Sequence, residues 1–316
     1  MATSHQAKVR ECKLPGCLKC QNRIERNHNS DDGICFNNRS MFDGLPLRCV
    51  GDWANEKIHY LSRYFEIFAG GMKDLWDGNL RYIEVCSGPG RCSTRNGYEQ
   101  DGTALAILNN EAVRHITDAI FIDYNQTAVD TLNTRIRNVG LETKARARIA
   151  NYNDPDAIRR VLRERPFSGL AFCLIDPTSC DIPFETVKTI ARAAGSKCDL
   201  LISFFSNTDF RRNAVNATLD PAFYAARERY TRFLGQPDFF TQSEVIEAAK
   251  LENFVKLATL FQIAYGNSLQ ALGYHCAAPV RVADYYHLLF ASRHPRGLQF
   301  WKSAVKLAYN GQGELF

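Results

Sequence analysis

The sequence predicts an α/β protein: a doubly wound, mainly parallel sheet that ends in an antiparallel strand, carried behind a small cysteine-rich head. Three observations predict it. Five short apolar runs are separated by helical patterns, which is the alternation that parallel sheets require. Two further apolar runs, 275–282 and 285–292, nearly touch in sequence, so they pair antiparallel through a tight connection. Four cysteines fall within the first 35 residues, where aliphatic residues are scarce and burial alone cannot drive folding.

Composition bounds the classes. With 316 residues, 45% hydrophobic and 23% charged, the chain carries enough apolar surface for a real core, which excludes a disordered, collagen-like or coiled-coil protein. No apolar run reaches membrane-spanning length and the N-terminus lacks a signal-peptide pattern, so a cytoplasmic protein with no membrane segment is expected. An odd cysteine count, 11, then favours thiols in a reducing compartment. A net charge of +5 permits an acidic partner without demanding one.

The turn-like FDGLP at 42–46 separates a head, 1–44, from a domain, 45–316. Ile58, Leu61, Phe65 and Phe68 recur at helical spacing over 55–68. RYIEV (81–85) reads as a buried strand running into a glycine-rich turn, SGPG. AIFID (119–123) is the second strand, followed by a helix with Val129, Leu132 and Ile136 on one face; 146–150, 170–176 and 199–205 are the third, fourth and fifth. Residues 241–272 read as one long helix. Thr241 and Glu244 have the spacing of a capping box, and Leu251, Phe254, Ala258, Phe261 and Tyr265 mark its buried stripe.

Parallel open sheets bind ligands beyond the carboxyl ends of their strands, so those ends carry the candidate chemistry. The first ends in Glu84-Val-Cys-Ser87-Gly88-Pro-Gly90, where the glycines let the backbone approach a ligand and Glu84 adds a carboxylate. The second ends in Asp123-Tyr124, where an acid can accept from both hydroxyls of a ribose. Asn151 or Asn153, past the third strand, can read an adenine edge or make an ordinary turn. Asp176-Pro177 closes the fourth. The roughly 20-residue interval and third glycine of a dinucleotide fingerprint are missing, which disfavours NAD.

In the head, Cys12, Cys17, Cys20 and Cys35, with His28 between the last two, supply the donors of a tetrahedral zinc site. The fourth ligand is Cys35 or His28. The same spacing leaves an iron–sulfur cluster or unligated thiols open. Lys13, Lys19, Arg23 and Arg26 suit a polyanion, most simply nucleic acid. Cys86, Cys173, Cys198 and Cys276 lie in or beside apolar runs and read as core residues, and Cys180 reads as an idle thiol.

Together these features resemble the class I S-adenosylmethionine-dependent methyltransferases and, more narrowly, the three-Cys-motif partner family (TcmP). The resemblance is carried by DGLPLRCVGDWANEKIHYLSRYF (43–65), YIEVCSGPGR (82–91), GTALAIL (102–108), FIDYN (121–125), IANYND (149–154), LIDPTSCDIP (174–183) and LLFASRHPRGLQFW (288–301). It implies a Rossmann-like fold and S-adenosylmethionine as cofactor. Glu84, Gly88 and Gly90 match the first loop, Asp123 the ribose acid, and Asp176 the acid beside the methyl acceptor; Ser87 and Tyr124, next to these, are further cofactor-binding candidates. Asn151 stands where the family usually shows an acid. The resemblance further implies a partner protein encoded nearby.

Asp176-Pro177-Thr178-Ser179 lacks the second proline and the aromatic of base amino-methyltransferases, so that reaction is not supported. His59, Tyr60, Arg91, Arg95, Tyr124 and Asp176 are the candidates for a substrate cleft. The rival reading is a non-catalytic subunit that keeps the fold and serves a partner enzyme or nucleic acid through its head.

Overall fold

The computed structural model describes residues 34–51, 53–94, 98–194, 197–283 and 285–309, and of 34–38 the backbone only. They divide into two compact units, 34–150 with Tyr309, and 151–308.

The first unit opens with β1 (Ile34–Arg39), β2 (Pro46–Cys49) and helix α1 (Ala54–Met72), which buries Tyr60, Leu61, Tyr64, Phe65, Phe68 and Met72 at the expected spacing. Strand β3 (Leu80–Val85) leads through the glycine turn to β4 (Arg91–Ser93), β5 (Glu99–Asp101) and a short helix α2 (Thr103–Leu108). Next come β6 (Asp118–Asp123), α3 (Gln126–Asn138) and β7 (Ala145–Ile149). β3, β6 and β7 are parallel, with Ile83 opposite Ile120 and Ile120 opposite Arg146. Every residue of β3 and β6 is buried, as continuous apolar strands covered on both faces should be. At their amino ends the buried Asp118 pairs with Arg81 Nε at 2.6 Å and with Arg146 Nη1, so one carboxylate bridges two guanidiniums.

A second sheet, with strand order β1-β2-β4-β5, has no counterpart in the sequence reading. β1 lies before the expected boundary near residue 45 and pairs antiparallel with β2, which lies after it; β2 runs parallel to β4, and β4 antiparallel to β5. These strands are three to six residues long and mixed in polarity, which leaves no periodic signal. The turn after β3 therefore opens into a hairpin.

The second unit holds α4 (Pro155–Arg163), β8 (Leu170–Ile175), α5 (Phe184–Ala193) and β9 (Cys198–Phe204), with β8 and β9 parallel. A π-turn, Ser206–Phe210, leads into α6 (Arg211–Leu219), α7 (Tyr224–Leu234), α8 (Ser243–Lys250) and α9 (Phe254–Ala271). The chain closes with β10 (His275–Cys276), β11 (Val280–Val282), β12 (Tyr286–Ser292) and α10 (Pro295–Val305). β12 is the antiparallel strand that was expected, with Leu289 opposite Ile202 of β9. Phe210 and Phe261 stack at 3.8 Å inside an aromatic core that also holds Phe204, Phe233 and Tyr265.

Two expectations are corrected here. The long helix over 241–272 is two helices: Glu252 adopts a φ of 51°, and the Asn253 side chain accepts from Lys256 N at 3.0 Å to cap α9 afresh. That break resets the helical phase, so Leu251 is 72% exposed instead of joining the stripe, whereas Ala258, Phe261 and Tyr265 are buried. Thr241 caps nothing; its hydroxyl donates to Asp238 O. The strand over 275–282 is also two pieces, both paired with β12, because Pro279 between them has no N–H to donate. Among the described residues no helix is long and apolar enough to cross a membrane.

Candidate cofactor site

Three positive-φ residues shape the turn after β3: Cys86 at 68°, Gly88 at 62° and Gly90 at 93°. Cys86 N and Ser87 N both donate to Ile122 O, at 2.8 and 3.1 Å, which ties the turn to the end of β6. At Gly90 space is short as well, since a Cβ would stand 2.9 Å from Leu132 Cδ1 and 3.2 Å from Leu105 Cγ. At Gly88 a Cβ would meet only the Arg48 side chain, at 3.6 Å, so conformation alone calls for glycine.

Of the two acids predicted for this end, Asp123 is bonded to the turn and Glu84 to side chains on β3 and α2. Glu84 is fully buried and accepts from the Tyr82 hydroxyl at 2.7 Å and the Thr103 hydroxyl at 2.5 Å. Asp123 is 6% exposed, and its two oxygens accept from Gly88 N at 2.8 Å and Asn125 N at 3.0 Å. Each oxygen of Asp123 thus keeps acceptor capacity. Ser87 is buried, and among the described residues its hydroxyl has no partner. Tyr124, next to Asp123, is exposed.

The turn is clamped from beneath by Arg135 on α3, which sequence reading missed. It is buried, donates to Pro89 O at 2.6 Å and Pro46 O at 3.0 Å, and grips both oxygens of Asp43 at 2.8 and 3.0 Å. Burial pushes the Asp43 carboxyl up, but the bonds and charge of Arg135 together with Leu45 N–H outweigh it and hold the group below its ordinary value. A signal was present, since Arg135 follows the buried Leu132 by three residues and so falls on the apolar face.

Other candidates divide. Arg91 is paired with Glu99 at 3.3 Å and Asp101 at 3.2 Å and covers the Phe42 ring, while His59 meets Tyr60 and Tyr309 edge-on. In the second unit the Asn151 side chain accepts from Asn153 N at 2.8 Å, the bond of a self-closing turn. Asp176 is half-buried and accepts from the Ser203 hydroxyl at 2.6 Å. Cys180, Cys173 and Cys198 are buried, and burial, aided by Asp209, pushes the Cys180 thiol up, which makes it unreactive. Cys276 is exposed and Cys86 half-buried, so neither is the core residue expected; both sit at strand ends where packing stops. Cys12, Cys17, Cys20, His28 and Arg95 lie outside the described residues, and Cys35 is described only as backbone in β1. No group of three or more metal-binding side chains occurs among the described residues.

The second unit carries two polar clusters without a sequence signal. Asp209 accepts from Arg229 at 2.8 and 2.9 Å, from Cys180 N at 2.8 Å and from the Tyr230 hydroxyl at 3.1 Å. Gln262 Nε2 donates to Ser206 Oγ at 2.9 Å and reaches His287 Nδ1 at 3.2 Å; burial, then Arg281, pushes the His287 imidazole down, which favours its neutral form.

No family model matches the chain, and no curated protein does. Among solved structures the chain is similar to a SAM-dependent methyltransferase from Aquifex aeolicus, at 14% identity and TM-score 0.37, covering 76% of this chain and 98% of that one. It is also similar to an O-methyltransferase from Bacillus cereus solved with SAH, at 9% identity and TM-score 0.37, covering 73% and 79%. A third is TrmK of M. capricolum with SAH, at 10% identity and TM-score 0.32, covering 71% and 66%. Similarity this low transfers no property from those proteins to this chain.

Proposed function

We propose that the chain is an S-adenosylmethionine-dependent methyltransferase whose cofactor end is the glycine turn of the first unit. The observation that carries this reading is the pairing of Asp123, which keeps acceptor capacity at the end of β6, with the orphaned buried hydroxyl of Ser87 in the turn beside it. A buried hydroxyl without a partner is costly, and a ligand that bonds to it removes the cost. Gly88, at a φ of 62°, lets the backbone take the turn at the same point. Asp123 would hold the ribose hydroxyls, and Glu84, Ser87 and Gly88 would border the methionine part. When bound, the cofactor supplies an electrophilic methyl group on its sulfonium. Asp176, which accepts from the Ser203 hydroxyl, is our candidate catalytic acid. The resemblance in the motifs quoted above supports the same assignment.

Titration calorimetry of the full chain with S-adenosylmethionine, S-adenosylhomocysteine and NAD tests it. Binding of the first two and not the third is expected. Undetectable binding at millimolar ligand would overturn the enzyme reading in favour of a non-catalytic subunit.

For the head we propose one zinc per chain on Cys12, Cys17, Cys20 and either Cys35 or His28, a reading supported by spacing alone. Elemental analysis of protein purified without chelator should find zinc; iron, or no metal, refutes it. Its basic residues we assign to nucleic acid. Affinity should then fall with salt at a log–log slope of about −0.9 per phosphate contact for duplex DNA, and removing residues 1–40 should flatten that slope. An unchanged slope would point to a protein partner, such as one encoded nearby.

A further inference from the structure

Of the three arginines around the glycine turn among the described residues, two are spent on the fold. Arg135 grips Asp43 and the Pro89 carbonyl, and Arg91 pairs with Glu99 and Asp101. Arg48, on β2, is different. Its side chain is half-buried, and its Nη1 stands 3.6 Å from where a Cβ of Gly88 would lie. Among the described residues it makes no hydrogen bond or ion pair. A guanidinium drawn over a backbone turn and left without an anion gives up hydration without regaining it, an arrangement that makes sense when an anion arrives from outside. The adjacent residue, Ser87, presents the orphaned hydroxyl, a second donor in the same turn.

We propose that Arg48 binds the carboxylate of the ligand's amino-acid end, with the Ser87 hydroxyl as a second donor to that end. This rests on the cofactor reading above and deepens it. The turn then separates charge: Glu84 and Asp123 lie on the sheet side, and Arg48 covers Gly88 from β2. A ligand that carries hydroxyls at one end and a carboxylate at the other matches this polarity, and a planar guanidinium can give that carboxylate two parallel N–H bonds. Arg48 is thus a specificity-determining residue, one that tells an amino-acid-bearing nucleoside from the bare nucleoside.

The test compares two probes that differ by this end alone: S-adenosylhomocysteine, and 5′-methylthioadenosine, which lacks the amino acid. Arg48→Gln should weaken the first by about 10- to 100-fold, the scale of a lost charge-assisted bond pair, and the second by less than about twofold. Arg48→Lys should recover part of the loss, because a point charge remains. Equal losses for both probes, or none, would overturn the proposal. If Arg48→Gln fails to fold, the carboxamide of S-adenosylhomocysteine tested on the wild type asks the same question, and equal affinity for acid and amide overturns it. A wild type that binds neither probe sinks the cofactor reading itself; one that binds both without discrimination by Arg48 sinks this assignment alone.

Discussion

Asp123 closes the buried strand β6 of the first unit and Asp209 lies in the π-turn after the buried strand β9 of the second, yet their surroundings differ. Asp209 is saturated: two bonds from Arg229, one from Cys180 N and one from the Tyr230 hydroxyl fill its acceptor sites. Asp123 takes one backbone N–H on each oxygen and has no cation beside it among the described residues. The first arrangement builds a scaffold, fixing the π-turn and the loop after β8 to α7. The second positions a carboxylate and leaves it able to accept more. In the first unit the scaffold role falls instead to Arg135, which joins the 43–46 turn to Pro89 and so holds the glycine turn from below.

The largest effect should come from that scaffold. Arg135→Met leaves the half-buried Asp43 without its cation and frees two carbonyls, and should lower stability by about 3 kcal/mol in chemical denaturation. A loss under about 1 kcal/mol would show that the clamp is dispensable. Asp209→Ala should cost somewhat less, about 2–3 kcal/mol, because Arg229 is partly exposed and water can take up its charge. Asp123→Ala reverses the balance: about 1 kcal/mol of stability, against a loss of about 1.5–3 kcal/mol in S-adenosylhomocysteine binding. Should Asp123→Ala destabilise as strongly as Asp209→Ala while binding is unchanged, the contrast between the two acids collapses.

A pH series sharpens the same point. Because the folded Asp43 carboxyl lies below its ordinary 3.8, its contribution is present above that pH and is lost as the pH falls through the folded value. Thermal melts of the wild type and Arg135→Met should therefore converge in acid. A gap that persists there would mean that Arg135 acts through the carbonyls of Pro46 and Pro89 and not through Asp43. The smallest effect belongs to Cys180→Ala, whose inert buried thiol should cost about 1 kcal/mol and leave binding untouched.

The parallel strands, α1 and α3 were legible because each is announced locally, by a continuous apolar run or by a stripe at three- and four-residue spacing. The 241–272 segment shows the limit of that signal. Its stripe continues through Leu251, but Glu252 and Asn253 break the helix with a local cap that periodicity does not register. At the site, Glu84, Gly88 and Asp123 were legible as strand-end residues; Asp123 meets Gly88 N in the turn, while Glu84 is held by Thr103 and Tyr82. Arg48 was not, and Arg135 was legible only as an arginine on a buried stripe, since neither carries a mark of what it will meet.

The sequence by itself determined where the strands end and which acids and glycines stand at those ends, because hydrophobic runs and positive-φ requirements act over a few residues. Tertiary structure alone decided which charged groups are consumed by the fold and which are left for a ligand. Arg135 meets Asp43 across 92 residues, Asp123 meets Gly88 across 35, and β2 lays Arg48 over a turn that follows a different strand. Hydrogen bonds and ion pairs act over a few ångströms of space, so the saturation of a carboxylate or a guanidinium is set only when distant segments are packed together.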